Sequence, residues 1–331
     1  MVDVLGKYKK PLFSGTIIGL AVAVALLVAG DIQGVFRTVL DIKLRYLAPI
    51  LFLAPLNYFF RYIKWNYYLK LTGLQVEPKM NRLIFISGLA MTITPGKIGE
   101  LLKCYLLKEH MGAPVSTTSS IVMAERLTDG LAMVILASFG CLSYAYGGYV
   151  LVAVTVILVS IVILFQYDGL FNLFCSLLGM IGFLRRFSTF LFRFQQNAKR
   201  LFTLKGLFFA VVIGVVSWGF EGLVIFFTVR GFGGDISVLS SVFVVSFSSL
   251  VGALSVIPGG LVVAEGSIMA LLLLAGLGRE MAAATTLVTR FSTLWLGVLI
   301  GFIGLYLVQR ELFKGGFGAA AVCKNKRENR R

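Results

Sequence analysis

Long runs of apolar residues alternate with short polar segments along almost the whole chain. A helix needs roughly 20 apolar residues to cross a hydrocarbon core of about 30 Å, and about six runs reach that length. Because these runs are continuously apolar and do not alternate with a period of two, they predict helices and not the strands of a barrel. The predicted spans lie near residues 12–30, 46–66, 117–142, 149–167, 207–229 and 282–308.

Two further apolar segments are interrupted near their middle by a Pro-Gly pair. The first runs from Ile84 to Leu107 around Pro95-Gly96, and the second from Val238 to Gly276 around Pro258-Gly259. Each half of the first segment is too short to cross the bilayer, so we expect a re-entrant helical hairpin that enters and leaves on one side. The second segment can be re-entrant or can cross twice.

The two broken segments fit one another as copies of an internal repeat. Glu100 follows the first break and Arg126 lies in the next span, while Glu265 and Arg290 follow the second break in the same order. Because one span separates the two units, the second enters the membrane from the opposite side, which predicts an inverted repeat of the kind found in transporters. Chance similarity is the alternative, because Gly and Pro are common where membrane helices pack. The units are residues 46–142 and 207–308.

The composition favours a single integral membrane domain over residues 1–331. Hydrophobic residues make up 58% of the chain and charged residues 14%, whereas soluble domains are nearer half apolar and a quarter charged. The mean hydropathy of +0.91 points the same way. The predicted fold is therefore an all-α polytopic membrane protein with about six full spans and two Pro-Gly-broken hairpins.

The net charge of +16 is concentrated in three places. Basic residues precede the first span, fill residues 168–206 and dominate residues 311–331. Such clusters lie on the cytoplasmic side of membrane proteins, so we expect a multi-pass protein of the cell (plasma) membrane with a basic cytoplasmic loop, a basic cytoplasmic tail and both termini inside. They favour contact with lipid head groups and not with nucleic acid. The single histidine and four scattered cysteines indicate no metal, cofactor or disulfide framework.

Ionisable residues within the apolar segments form the candidate site, because a charge at the bilayer centre costs at least about 2.5 kcal/mol. Arginines there are expected to contact a lipid phosphate, and each glutamate after a break to pair with either arginine or to accept an amine or a proton. Glu125 and Asp129 are expected to hold Arg126 in place. Purely structural pairing and helix capping stay open as alternatives. The candidate substrate-binding residues are Arg126, Arg290, Glu100, Glu265, Glu125, Asp129 and Lys97, with breaks at Pro95, Gly96, Pro258 and Gly259.

Five short motifs together resemble a known membrane family. They are Thr94–Lys103 (TPGKIGELLK), Glu125–Asp129 (ERLTD), Ile257–Gly260 (IPGG), Glu265-Gly266 and Thr289-Arg290. Their joint occurrence resembles the membrane region of lysylphosphatidylglycerol synthetases, also called the flippase-like domain family. The resemblance covers nearly the whole chain.

The resemblance implies transport and not lipid synthesis. In the synthetase that gives the family its name, this region moves an aminoacylated lipid between leaflets, while a separate soluble domain makes that lipid. The soluble domain has no counterpart in these 331 residues, so the expected function is translocation of a lipid with an anionic or zwitterionic head group. An enzyme or accessory subunit of polyprenyl-linked sugar or envelope glycolipid assembly is the alternative. A homodimer and a separate lipid-modifying enzyme are the partners left open.

Overall fold

The computed structural model describes residues 4–94, 100–141, 148–179, 188–255, 257 and 260–314, and all regular structure in these residues is helical. In chain order the helices are α1 (Val4–Ala29), α2 (Ile32–Leu40), α3 (Leu44–Leu71), α4 (Pro78–Leu89), α5 (Leu102–Met111), α6 (Val115–Cys141), α7 (Gly148–Gln166), α8 (Asp168–Gly179), α9 (Ser188–Leu201), α10 (Leu204–Gly231), α11 (Val238–Leu254), α12 (Val263–Leu274), α13 (Arg279–Arg290) and α14 (Leu296–Lys314), with a π-helical segment (Phe291–Trp295) between the last two.

Helices occupy all six positions at which the sequence predicts spans. In the described part of the chain, two of them, Leu204–Gly231 and Arg279–Leu312, are long and apolar enough to cross a membrane. The number rises to four if two sharply bent pairs, α1 with α2 and α7 with α8, each count as one span. The long helices α3 and α6 are less apolar because each carries charged residues near its middle.

The distribution of side chains across the body is that of a membrane protein. Large apolar side chains are exposed along the outer helices, as at Val152, Val156 and Ile157 of α7. Charged side chains such as Lys64 and Asp129 are buried instead. A lipid environment accepts the apolar exterior, whereas buried charges require partners inside the protein.

The centre of the body is the antiparallel pair formed by α3 and α10. Tyr67, near the end of α3, packs on Phe209, near the start of α10, with ring centroids 4.4 Å apart. At the other end of the pair, Tyr46 lies 6.3 Å from Phe227. The end of each helix therefore contacts the start of the other, and the two helices pack side by side along their full length.

The two central helices also end in the same way. Each is followed by a glycine with positive φ, Gly73 at 77° and Gly233 at 85°, which lets the chain turn away from the helix. The next helix then begins at Pro78 in the first case and at Val238 in the second. The same turn thus leads from each central helix into its Pro-Gly-broken segment.

Each broken segment is a pair of short helices. The 12-residue α4 and the 10-residue α5 flank the first break, and the 17-residue α11 and 12-residue α12 flank the second. All four are shorter than the roughly 20 residues of a full span. α4 packs against α14, and α11 packs against α6, so each hairpin lies on the long helix of the other half.

The segment from 168 to 206, predicted as a loop, contains two helices. α8 and α9 lie in it, and α9 packs against α6 and α7. Lys199 of α9 donates a hydrogen bond to exposed Asp168 at 2.5 Å, and this bond lowers the pKa of that carboxyl group. The basic segment is therefore attached to the helical body through defined contacts.

Candidate functional site

Two ion pairs link the hairpin breaks to the long helices that follow them. Glu100 pairs with Arg126 of α6, and Glu265 of α12 accepts a hydrogen bond from Nε of Arg290 at 2.5 Å. Both carboxylates are almost fully buried. Of the two combinations that the sequence left open, the structure has each glutamate paired with the arginine of its own half.

Two more ion pairs lie deep in the first half. Lys103 of α5 contacts Glu125 at 2.5 Å and lies over the ring of Trp65, with 4.2 Å between Nζ and the centroid. Lys64 of α3 pairs with Asp129 of α6. These pairs fasten α5 and α3 to α6 inside the protein.

The geometry corrects one expectation about Arg126. Glu125 and Asp129 were expected to hold this arginine, but each contacts a lysine from another helix instead. Arg126 follows Glu125 directly, and consecutive helical residues point about 100° apart. Asp129 lies three residues after Arg126, a spacing that permits contact, but Lys64 of α3 pairs with it. The two acids therefore join helices, while Arg126 reaches the hairpin glutamate Glu100.

A polar cavity of about 70 Å³ lies between the two halves, among α3, α10, α11 and the π-helical segment. Its charged and hydrogen-bonding wall is formed by Tyr58, Arg61, Trp218, Glu221 and Arg290. The cavity has room for only a few water molecules, whose share of volume is about 30 Å³ each. A larger ligand would require the surrounding helices to separate.

The π-helical segment shapes one wall of this cavity. It follows Arg290 directly and leaves the carbonyl of Thr293 to accept a hydrogen bond from the Tyr58 hydroxyl at 2.5 Å. Gly297 lies against the same tyrosine, and a Cβ at this position would overlap its hydroxyl. Single π-helical turns inside α-helices are frequent at functional sites.

The second break also carries a strained backbone. Val262, immediately before α12, has a φ of 72°, a conformation that costs a β-branched residue of order 1–3 kcal/mol. Gly260, with φ 67°, approaches the backbone of Gly252 too closely to admit a side chain comfortably. This strain lies within a few residues of Glu265.

An apolar groove of about 400 Å³ adjoins the polar cavity on the side of α1. It is lined mainly by small and apolar side chains of α1, α13 and α14, together with Glu265 and Arg290. Arg290 lines the polar cavity as well. A second groove of about 520 Å³ lies between α1 and α12 and again reaches Glu265. The Glu265–Arg290 pair thus separates a polar space from apolar ones.

Several residues that line the cavity or lie close to it in α3 were not selected from the sequence. Arg61, Asn57 and Tyr58 lie in α3, where neighbouring aromatic residues resemble an interfacial belt, and Lys64 lies in the same stretch. Asn57 donates hydrogen bonds to the carbonyl of Ser217 and to Glu221, at 2.7 and 3.2 Å. Glu221 and Arg290 both lie in the cavity wall. The sequence signal available for Arg61 and Lys64 was their charge inside an otherwise uncharged predicted span.

The break residues Pro95, Gly96, Pro258 and Gly259, together with Lys97, lie outside the described residues. Among the residues that are described, no three of His, Cys, Asp and Glu come together in a way that could hold a metal ion. The expectation that no cofactor is needed stays a prediction.

Comparison with known proteins gives a consistent result. A family profile described as "Lysylphosphatidylglycerol synthase TM region" matches residues 16–301. A UPF0104 membrane protein of Pyrococcus horikoshii is 24% identical over 89% of this chain and 96% of the relative. One of Methanocaldococcus jannaschii is 27% identical over 67% of this chain and 95% of its own length. Another, of Methanothermobacter thermautotrophicus, is 22% identical over 85% of this chain and 89% of its own length.

Proposed function

The chain belongs to the lysylphosphatidylglycerol synthase TM region family, and on that basis we propose that it is a flippase-like lipid translocase. Its substrate is a lipid with a charged head group, which it moves between the leaflets of the cell membrane. One observation carries the proposal: Arg290 lines both the polar cavity and the apolar groove beside it. A lipid needs a path of both kinds, because its head group must cross the bilayer while its chains stay in an apolar environment.

The ion pairs at the breaks supply the charges for such a path. Arg290 can exchange part of its contact with Glu265 for a lipid phosphate, since guanidinium groups bind carboxylate and phosphate with the same fork of donors. The Glu100–Arg126 pair has the corresponding place in the first half. Glu265 is left to balance the arginine when the site is empty.

We also propose that the two halves form an inverted repeat. Where the antiparallel central helices contact each other near their middle, Asn57 donates to the carbonyl of Ser217, 160 residues further along the chain. The turns at Gly73 and Gly233 keep the same separation, and α4 on α14 corresponds to α11 on α6. In transporters with this symmetry the substrate site lies between the repeats near the midplane, and the polar cavity has lining residues from both halves, which supports the proposal.

The direct test is translocation by the purified protein in liposomes. Fluorescent lipids are placed in both leaflets, and dithionite then quenches those that reach the outer leaflet. The protein should make the inner-leaflet lipid accessible, and Arg290→Gln should abolish this effect. The double variant Glu265→Gln/Arg290→Gln, which buries no lone carboxylate, should be inactive too while remaining folded.

Arg230→Gln serves as the matched control. Arg230 lies in the last turn of α10 and pairs with Asp235 at the protein surface, away from the cavity. This variant should translocate lipid at the wild-type rate. Equal accessibility in protein-free and protein-containing liposomes, over a broad panel of lipids, would reject translocation as the function.

A further inference from the structure

In the described part of the chain, the helical body contains equal numbers of positively and negatively charged side chains. The cations are Arg61, Lys64, Lys103, Arg126 and Arg290, and the carboxylates are Glu100, Glu125, Asp129, Glu221 and Glu265. Four cations and four carboxylates form the ion pairs described above. The fifth of each kind, Arg61 and Glu221, line the same cavity.

Arg61 has hydrogen-bonding capacity that no described residue uses. Its guanidinium lies in the field of four buried carboxylates, yet it forms none of the ion pairs and donates none of the hydrogen bonds found among the described residues. An arginine presents five N–H donors and cannot lose its charge in a protein. A cavity arginine of this kind is suited to an anionic ligand group.

Trp218 adds a second donor at the same place. Its side chain is 6% exposed, and its indole Nε1 has no hydrogen-bond partner among the described residues. Buried indole N–H groups normally have a partner. Since Trp218 lines the cavity with Arg61, both donors are available to one group of acceptor oxygens, such as a phosphate.

Glu221 provides a hydrogen-bond acceptor on α10, the helix that packs against α3. Asn57 donates to it at 3.2 Å, which fixes the carboxylate in the cavity wall. Its position in α10 corresponds to that of Arg61 in α3, with the separation of 160 residues seen between Asn57 and Ser217. The cavity therefore presents a cation from one helix and an anion from its counterpart.

We propose that this cavity, once its surrounding helices separate, binds the head group of a zwitterionic lipid that carries a phosphate and a protonated amine. Arg61 and Trp218 donate to the phosphate that Arg290 also contacts, Glu221 accepts from the ammonium group, and the apolar groove beside Arg290 receives the chains. This assignment rests on the proposed function for the lipid as ligand. The balance of interior charge favours a zwitterion, because a neutral ligand keeps the buried site neutral, whereas a purely anionic head group adds an uncompensated charge.

Binding of short-chain lipids tests this assignment without requiring transport. The thermal midpoint of the purified full chain is measured against increasing dihexanoyl phosphatidylethanolamine, phosphatidylcholine or phosphatidylglycerol. Phosphatidylethanolamine should bind most tightly, because a quaternary ammonium has no N–H to donate and a glycerol head group has no cation. Glu221→Gln should weaken phosphatidylethanolamine alone by about tenfold, to the level of the other two lipids.

The arginine and the tryptophan are tested in the same titration. Arg61→Gln and Trp218→Phe should weaken all three lipids, since each contains the phosphate, with a loss of about tenfold or more for the arginine. Arg45→Gln, at the exposed start of α3, and Glu109→Gln, exposed on α5, are the matched controls and should leave every affinity unchanged.

Three outcomes decide between the alternatives. Equal binding of the three lipids, or a preference that Glu221→Gln leaves intact, overturns the ammonium site even if the liposome assay shows translocation. Glycerophosphoethanolamine is the soluble probe. If it raises the thermal midpoint as much as the lipid does, the cavity binds a soluble zwitterion and the lipid is excluded as its specific ligand. A preference lost in Glu221→Gln, without translocation in liposomes, keeps the site and rejects the transport function instead.

Discussion

Among the ion pairs of the described residues, Lys64–Asp129 is the most deeply buried, with side chains 0% and 2% exposed. Both would be unstable alone in an apolar interior, so removing one partner should cost far more than removing both. We expect Lys64→Met to lower the free energy of unfolding by about 3–5 kcal/mol, because it leaves the aspartate without its cation. The measurement is unfolding of the detergent-solubilised protein with increasing denaturing detergent.

The double variant Lys64→Met/Asp129→Leu is the informative comparison. It should recover most of the lost stability, since the buried pair is replaced by apolar groups of similar size. Removing the exposed Arg230–Asp235 pair should change stability by less than about 1 kcal/mol. A double variant as unstable as Lys64→Met would show that packing, and not the lone charge, causes the loss.

At the residue scale, the sequence indicated the carboxylates and arginines after the breaks but not their pairing. Glu100 and Glu265 stand out because they follow Pro-Gly in apolar surroundings, yet spacing cannot tell which arginine each one meets. Arg61 was missed for a different reason, since its aromatic neighbours are equally typical of an interfacial belt. Only the antiparallel packing of α3 on α10 brings it to Glu221.

At the scale of helices, the close packing of each hairpin on the opposite long helix depends on glycine. A Cβ at Gly304 of α14 would overlap Ile86 and the backbone of Ser87, and one at Gly140 of α6 would overlap Phe243. Alanine at either position should therefore destabilise the protein by about 1–3 kcal/mol, despite its better helix propensity. Detergent unfolding measures both changes.

Gly219 of α10 provides the control for this prediction. No atom lies near the place of its Cβ, so Gly219→Ala should be neutral or stabilising by up to about 1 kcal/mol. If Gly304→Ala and Gly140→Ala behaved like Gly219→Ala, close helix contact at these glycines would not contribute to stability.

The sequence predicted the long helices better than the short ones. Each predicted span coincides with a helix, because runs of about 20 apolar residues have few alternatives to a helix in a bilayer. The helices α2, α8 and α9 were missed, since short amphipathic segments are difficult to tell from loops. The π-helical segment after Arg290, whose Thr293 carbonyl accepts a hydrogen bond from Tyr58, has no sequence signal.

At the scale of the whole molecule, the two halves differ in how firmly they are held. The first half has the lysine ion pairs of Glu125 and Asp129 in addition to its break pair. In the second half, the positions that correspond to Glu125 and Asp129 are occupied by the uncharged residues Thr289 and Thr293. The strained Val262 also belongs to this half. If the cavity widens for a lipid, these differences favour movement of the second hairpin over movement of the first.

The inverted repeat makes a topological prediction that needs no substrate. The turn after α3 and the turn after α10 should lie on opposite sides of the membrane, with the first on the cytoplasmic side by its basic flanks. Single cysteines replace the exposed residues Glu77 and Asp235 in a chain whose four native cysteines are changed to serine. An impermeant maleimide should label Asp235→Cys in intact cells and Glu77→Cys only in inverted vesicles. Labelling of both from one side would exclude the inverted repeat, since antiparallel spanning helices must end on opposite faces, and the polar cavity would then need another explanation than a site between two symmetric halves.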